Sequence, residues 1–412
     1  MNPNPAPPGA VPRRWGRGTA AVALAAAIAV AACSTSEGTS GTDGAGDTGG
    51  AGADGAAEGS SAEERSAWRY PGDEWERVAP ETAGFDLAGL DRLAEDAAAA
   101  RSHCLVVTRD GAVVDERYGD GVTADTPREA FSATKSVTST LVGIAQDQGA
   151  LALDDPAADH IPAWQGTEAE AVSVEHLLSN VSGRHWDPAT DYGAMAIQAH
   201  DKTAFAIDLA QDEPPGTTWA YNNAAVQTLS AVLEGATGQR ADDYAESVLF
   251  EPLGMRSSSL ASDPAGNPLT FMGLQTTCLD LARFGYLMLR DGAWDGSQVV
   301  SEDVVEQATG RPSTELNAAY GFLWWLNHRG PVASPLLATT GAGDNAIADG
   351  QLVPAAPGDT FWALGFRNQI LAVIPSEGIV AVRLGPAPPE GVTFTHAELT
   401  LGVLDALVEV RG

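Results

Sequence analysis

The stretch that decides the fold is FSATKSVTSTLVGIAQDQGAL, residues 131–151. Apolar side chains recur in it at helical spacing, for example at Val137 and Leu141, and Gly149 stands where a helix would stop. The spacing therefore predicts a helix that begins near Ser132.

One turn of that helix brings a serine and a lysine together. Ser132 and Lys135 lie on the same helix face with Cβ atoms roughly 5–6 Å apart, so that the amine can take the serine proton. The N-terminal position adds unpaired N–H groups and the positive end of the helix dipole, which favour an oxyanion. The chain has only two lysines, Lys135 and Lys202, and arginine cannot serve as the base because it stays protonated. The alternative is a Ser- and Thr-rich helix start whose lysine is merely solvated.

The first 64 residues are predicted to lie outside the folded domain. Residues 1–33 combine a basic region, a short apolar run and Cys33, which is typical of an export signal, and the run is short for a membrane span. The segment resembles a bacterial lipoprotein signal, in which Cys33 is lipidated and anchors the protein to the outer face of the cytoplasmic membrane. The alternative is an ordinary cleaved signal with an incidental Cys33. Residues 34–64, rich in Gly, Ser, Thr, Ala and Asp, predict a flexible linker.

Composition narrows the classes of function. A net charge of −32 argues against a nucleic-acid partner and favours solubility outside the cell. The seven histidines form no His-x-x-x-His pair and there is no Cys-x-x-Cys, so neither a metal site nor a cofactor is predicted. Cys104 and Cys278 remain after Cys33. In an oxidising compartment they indicate a disulfide between the lobes, with two buried free thiols as the alternative.

The order of elements indicates the fold class. Residues 104–118 predict a hairpin whose turn is Asp110-Gly111. Helical patterns dominate from Ser132 to about residue 310, and strand patterns return at 359–364, 370–375 and 378–384 before a closing helix. This order predicts an α+β domain over residues 65–412. Its antiparallel sheet, flanked by helices, is built from both chain ends, and a mainly helical lobe at approximately 131–310 is inserted into it.

A second candidate element is Tyr221-x-Asn223, at the end of a turn that Pro214, Pro215 and Gly216 hold rigid. A phenol and a carboxamide two residues apart would project together into a cleft. A tyrosine beside a cationic lysine is expected to have a lowered pKa and to relay a proton. The alternative is a purely structural tripeptide.

Three further segments support a family resemblance. They are HLLSNVSG at 176–183, EPLGM at 251–255 and GLQTT at 273–277. Together with the Ser-x-x-Lys and Tyr-x-Asn motifs, their order and spacing over roughly residues 80–412 resemble the serine β-lactamase-related superfamily. That superfamily includes class C β-lactamases, D-Ala-D-Ala peptidases, esterases of β-lactamase fold and 6-aminohexanoate-dimer hydrolases. The resemblance implies a β-lactamase/transpeptidase-like fold.

The resemblance also implies roles for the motif residues. Ser132 would be the acylated nucleophile, Lys135 its base and Tyr221 the proton relay. Asn223 would position the substrate. Tyr192 lies in a segment, 186–192, that resembles the substrate wall of the 6-aminohexanoate-dimer hydrolases, and it is predicted to contact substrate. A packed surface aromatic is the alternative for Tyr192.

The late strand departs from the superfamily pattern. By the resemblance, the N–H groups of Ser132 and Phe366 form the oxyanion hole, and Gly365 allows close approach of the substrate. Ala363 stands where many members have the lysine of Lys-Thr-Gly, which helps to bind a substrate carboxylate. Its absence argues against β-lactam hydrolysis and D-Ala-D-Ala cleavage, although Arg367 lies near enough in sequence to compensate.

The sequence therefore predicts an exported, lipid-anchored serine hydrolase of β-lactamase fold. It would cleave a small ester or a linear amide through an acyl-enzyme on Ser132. A β-lactamase or D-Ala-D-Ala carboxypeptidase is the nearest alternative. A catalytically idle cell-wall-binding module of the same fold is the second, and a lipid-anchored scaffold that uses its acidic surface is the third.

Overall fold

The computed structural model describes residues 68–408. The predicted signal at 1–33 with Cys33 and the predicted linker at 34–64 lie outside the described residues. Within residues 68–408, no helix is both long enough and apolar enough to cross a membrane.

The strands, in chain order, are β1 (Cys104–Arg109), β2 (Ala112–Tyr118), β3 (Arg128–Glu129), β4 (Ser259–Leu260), β5 (Leu274–Thr276), β6 (Ala293–Trp294), β7 (Ser297–Gln298), β8 (Trp325–Leu326), β9 (Gly330–Ala333), β10 (Ala346–Gly350), β11 (Phe361–Gly365), β12 (Gln369–Ile374) and β13 (Ile379–Leu384).

A central antiparallel sheet has the strand order β2-β1-β13-β12-β11-β8. The first and last parts of the chain meet in it, with Val106 of β1 opposite Val382 of β13 and Leu371 of β12 on the other side of Val382. Strands β12 and β13 are buried along their whole length, which fits apolar runs covered on both faces. The predicted fold, a sheet built from both chain ends, is confirmed.

The hairpin prediction is also confirmed. Strands β1 and β2 pair antiparallel around Asp110 and Gly111, whose φ angles are 47° and 80°. An Asp-Gly pair adopts this left-handed backbone at small cost because glycine lacks a Cβ and aspartate tolerates the conformation.

The α-helices are α1 (Leu87–Ala99), α2 (Thr134–Asp147), α3 (Val174–Leu178), α4 (Lys202–Asp208), α5 (Asn223–Gln227), α6 (Leu229–Thr237), α7 (Ala241–Ala245), α8 (Glu251–Leu253), α9 (Cys278–Leu289), α10 (Glu302–Val305) and α11 (His396–Asp405). Short 3₁₀ turns occur at Pro80–Ala83, Phe131–Ala133, Ala157–Asp159, Pro162–Trp164, Glu168–Ala171 and Pro375–Glu377, and π-helical segments at Ala189–Gln198, Glu246–Phe250 and Glu306–Gly310.

Helices cover both faces of the sheet. Helix α9 lies so close to one face that a Cβ on Gly285 would touch the side chains of Leu371 and Val380. Helix α11 covers the opposite face, where Trp362 Nε1 donates a hydrogen bond of 2.9 Å to Thr400 Oγ1. Helix α9 falls inside the range predicted for the inserted helical lobe, approximately 131–310, yet it packs on the sheet. The range predicted for the lobe therefore extends too far at its C-terminal end. The apolar pattern of a helix does not show which neighbour covers it.

The structure joins Cys104 and Cys278 in a disulfide. The two residues stand at the first positions of β1 and α9, so the bond ties the sheet to the helix on its face. The bond was predicted to lie between the lobes, and the packing of α9 on the sheet corrects that prediction.

Candidate active site

The predicted helix start contains a sharp turn. Ser132 lies in the 3₁₀ turn Phe131–Ala133, and α2 follows directly from Thr134. Phe131 has a φ of 47°, a left-handed conformation that is costly for a non-glycine residue and is found disproportionately at active sites. The backbone thus turns sharply at the serine, which lines a cavity and is partly accessible.

The predicted serine–lysine pair is formed. Lys135 Nζ lies 3.0 Å from Ser132 Oγ and also donates to Asn223 Oδ1 at 2.7 Å and to the Phe271 carbonyl oxygen at 3.0 Å. Only 1% of the lysine surface is exposed. Burial lowers the pKa of Lys135 from 10.5 to about 7, and the negative charge of Asp191 opposes that shift. A large share of the molecules therefore carries a neutral amine, able to accept a proton, near neutral pH.

Tyr221 completes the group. Its hydroxyl hydrogen-bonds Ser132, and its ring lies 4.8 Å from Lys135 Nζ. From the sequence, the neighbouring lysine is expected to lower the pKa of this tyrosine. That expectation is wrong in direction: burial raises the pKa of Tyr221 well above 10, the charge of Asp191 raises it further, and the hydrogen bond with Ser132 only opposes these effects. Tyr221 is consequently a neutral phenol that can pass a proton while remaining uncharged.

Asn223, the first residue of α5, bridges the lysine to a buried acid. While its Oδ1 accepts from Lys135, its Nδ2 donates to Asp191 Oδ2 at 2.6 Å, and Asp191 Oδ1 accepts from the Ala224 N–H at 2.9 Å. These contacts fix which way the carboxamide points. Asn223 therefore holds the base through its carboxamide oxygen, and its role in positioning the substrate stays a prediction.

Asp191 is a site residue that was not predicted from the sequence. It lies in the π-helical segment Ala189–Gln198 and is 1% exposed. Burial raises its pKa to about 6, although hydrogen bonds from the backbone of Ala224 and from the side chain of Asn223 favour the charged form. The one signal in the sequence is its place in the 186–192 segment that resembles a substrate wall.

Two of the predicted site residues, Gly365 and Phe366, lie at the end of β11 and directly after it. Gly365 and Phe366 line the same cavity as Ser132, and the Phe366 ring packs edge-on against Phe131 at 5.6 Å between centroids. A Cβ on Gly365 would overlap the carbonyl oxygen of Ala130. Glycine is thus needed here so that the turn before the serine can approach the strand, and that need exists without any substrate. The role of the Phe366 N–H as an oxyanion donor stays a prediction.

The cavity beside Ser132 has a volume of about 220 Å³. The polar side chains on its wall are those of Ser132, Tyr192, Tyr221 and Asn223. The Tyr192 hydroxyl donates to the Pro335 carbonyl oxygen at 3.3 Å, so the predicted contact with substrate is left to its ring. A larger cavity, about 1200 Å³, lies elsewhere and contains none of the predicted site residues.

Residues 90–401 match the family model described as Beta-lactamase. Penicillin-binding protein 4 of Amycolatopsis lactamdurans is 29% identical over 304 residues, which are 66% of this chain and 75% of that protein. The 6-aminohexanoate-dimer hydrolase of Paenarthrobacter ureafaciens is 27% identical over 262 residues, 55% of this chain and 65% of that protein.

Among solved structures, a class C beta-lactamase in complex with cefoxitin superposes with a TM-score of 0.55 at 16% identity, over 77% of this chain and 99% of that chain. At this identity the likeness shows the fold alone.

Proposed function

We propose that the chain, which belongs to the beta-lactamase family of serine hydrolases, cleaves a small ester or a linear amide through an acyl-enzyme on Ser132. The observation that supports this most directly is the contact of 3.0 Å between Ser132 Oγ and a buried lysine whose pKa is lowered to about 7. A serine is a weak nucleophile unless an adjacent base takes its proton. Such a base must lie within hydrogen-bond distance and be unprotonated near neutral pH, and Lys135 meets both requirements.

In the proposed reaction, Ser132 Oγ bonds to the substrate carbonyl carbon while its proton passes to Lys135, directly or through the Tyr221 hydroxyl. The carbonyl electron pair moves to oxygen, which the N–H groups of Ser132 and Phe366 would stabilise. The bond to the leaving alcohol or amine then breaks, and that group takes up the proton. The acyl group stays on Ser132 until a water molecule adds, releases the acid and restores the serine.

The residues near β11 favour esters and linear amides over β-lactams. Ala363, at the position of the family lysine, is fully buried and places no charge in the cavity. The second candidate function, hydrolysis of β-lactams or of D-Ala-D-Ala ends, is supported by Arg367. Its guanidinium lies 5.7 Å from the centroid of the Phe131 ring and 5.4 Å from that of the Phe366 ring, beside two residues that line the cavity. The name of penicillin-binding protein 4 also supports it.

The test is the mass of the intact protein after treatment with a fluorophosphonate, measured for the wild type, Ser132→Ala and the exposed control Ser297→Ala. Turnover of p-nitrophenyl butyrate and of nitrocefin is measured in parallel. One adduct that only Ser132→Ala loses, with ester turnover and little nitrocefin turnover, is the expected result. Strong nitrocefin turnover would favour the second function. Absence of both adduct and turnover would refute the proposed enzymatic function and leave the cell-wall-binding module as the remaining alternative.

We further propose that the protein is exported and held on the outer face of the cytoplasmic membrane by a lipid on Cys33. This proposal is based on the sequence of residues 1–33 and on the predicted linker at 34–64. A full-length Cys33→Ser variant should move from the membrane fraction to the soluble fraction of a bacterial host, while Cys104→Ser should not. Equal fractionation of Cys33→Ser and wild type would contradict the anchor.

A further inference from the structure

The wall of the cavity beside Ser132 is apolar apart from the reacting residues. Phenyl rings and branched aliphatic side chains form most of it: Phe131, Ile197, Phe271, Leu336, Leu364 and Phe366. Among the described residues that line it, there is no Asp, Glu, Lys or Arg. A substrate group that enters this space therefore leaves water for hydrocarbon, which favours an apolar group and opposes a charged one.

The few polar groups on the wall already have protein partners. The Asn223 carboxamide is held between Lys135 and Asp191, and the Tyr192 hydroxyl donates to the Pro335 carbonyl oxygen. Polar recognition thus remains concentrated at the scissile carbonyl. A charged or strongly polar group placed deeper would lack compensation for its lost hydration.

The mouth of the cavity is apolar as well. Ile197, Leu336 and Phe366 are 60%, 41% and 37% exposed, and all three line this cavity. Large apolar side chains left in water around the entrance of a cleft are typical of a ligand-binding groove. They would be covered by an apolar substrate that extends from the cavity.

We propose that the preferred substrate carries an uncharged, apolar arm of about seven non-hydrogen atoms beside the scissile carbonyl. The length follows from the volume of about 220 Å³ and from roughly 30 Å³ for each non-hydrogen atom, as in liquid water. This inference rests on the proposed function, because it concerns the substrate of the same serine.

The experiment compares p-nitrophenyl esters with acetyl, butyryl, hexanoyl and octanoyl groups, and a matched ester of adipic acid whose far end is a carboxylate. Burial of one methylene predicts an increase in kcat/KM of about fourfold. The kcat/KM should therefore rise along the series as far as the octanoyl ester, whose arm has seven carbons. The hexanoyl ester, with four more methylenes than the acetyl ester, should exceed it by about 250-fold, and the adipyl ester should resemble the acetyl ester. Hydrolysis of acetate esters of alcohols from ethanol to octanol, measured by the release of acid, shows whether the apolar arm belongs to the alcohol part of the substrate.

Two variants test whether this cavity is responsible. Leu336→Asp places a charge in the wall, and Leu87→Asp places one at a leucine of similar exposure, 45%, at the start of α1. The hexanoyl preference should fall at least tenfold in Leu336→Asp and stay unchanged in Leu87→Asp. A flat response to chain length in both ester series, or adipyl turnover equal to hexanoyl turnover, would overturn the inference. A fluorophosphonate adduct on Ser132 in those same preparations shows that the proposed function still stands, and its absence shows that the function itself has failed.

Discussion

Replacing Lys135 with methionine should abolish turnover and also change how stability depends on pH. The lysine is 1% exposed, and burial lowers its pKa from 10.5 to about 7 in the folded protein. Between these two values the unfolded chain holds one more proton at this side chain than the folded protein does. The free energy of unfolding therefore rises with pH across that window in the wild type, and Lys135→Met lacks this contribution.

The size of the effect follows from the two pKa values. Each pH unit inside the window corresponds to about 1.4 kcal/mol, so the wild type should gain about 2–3 kcal/mol relative to Lys135→Met between pH 8 and pH 10. Buried tyrosines such as Tyr221 titrate in both proteins and cancel in the difference. Starting at pH 8 keeps the titration of Asp191, whose pKa is about 6, largely outside the comparison.

Urea unfolding followed by tryptophan fluorescence at pH 8, 9 and 10 measures this difference. Ser136→Ala is the matched control, because Ser136 is buried in the same helix turn and hydrogen-bonds the Leu323 carbonyl oxygen but carries no titrating group. Its difference from the wild type should be constant across pH. Parallel pH curves for Lys135→Met and the wild type would refute the lowered lysine pKa, and with it the assignment of Lys135 as a base near neutral pH.

Three further outcomes are expected. The kcat/KM of the wild type for an ester should rise through about pH 7. Asp191→Asn removes a charge that raises the lysine pKa, so it should move that rise to lower pH and reduce kcat on the order of tenfold. An unchanged pH profile in Asp191→Asn would contradict this prediction. Replacing Cys104 and Cys278 together by alanine should lower the free energy of unfolding by about 5 kcal/mol, since the disulfide closes a loop across a separation of 174 residues. Urea unfolding measures this loss, and a loss below about 1 kcal/mol would refute the prediction. Gly365→Ala should reduce kcat on the order of 100-fold because its Cβ would overlap a backbone carbonyl oxygen. The control is Gly358→Ala, which should keep wild-type turnover because its Cβ would lie 3.7 Å from the nearest atom.

The sequence predicted those features that depend on neighbours along the chain. Ser132 and Lys135 meet because a helical turn brings residues three apart together, and their 3.0 Å contact agrees with that reasoning. The family motifs, in order, also predicted the fold. The bond between Asn223 and Asp191 joins residues 32 apart, and its formation depends on how the π-helical segment packs against α5. The pKa of Tyr221 was predicted in the wrong direction because the largest cause of its shift is burial, which the local sequence does not show.

The pairing of β1 with β13 sets a condition on folding. Val106 and Val382 are opposite each other in the middle of the sheet, so the central strands cannot assemble until almost the whole chain is available. Contacts between such distant residues cost loop-closure entropy before they contribute stability, which makes folding slow. A nascent chain would carry β1 and β2 as an isolated hairpin, which is marginally stable in water at best. Such a chain stays open during synthesis, and truncation before residue 384 should leave it without a stable sheet.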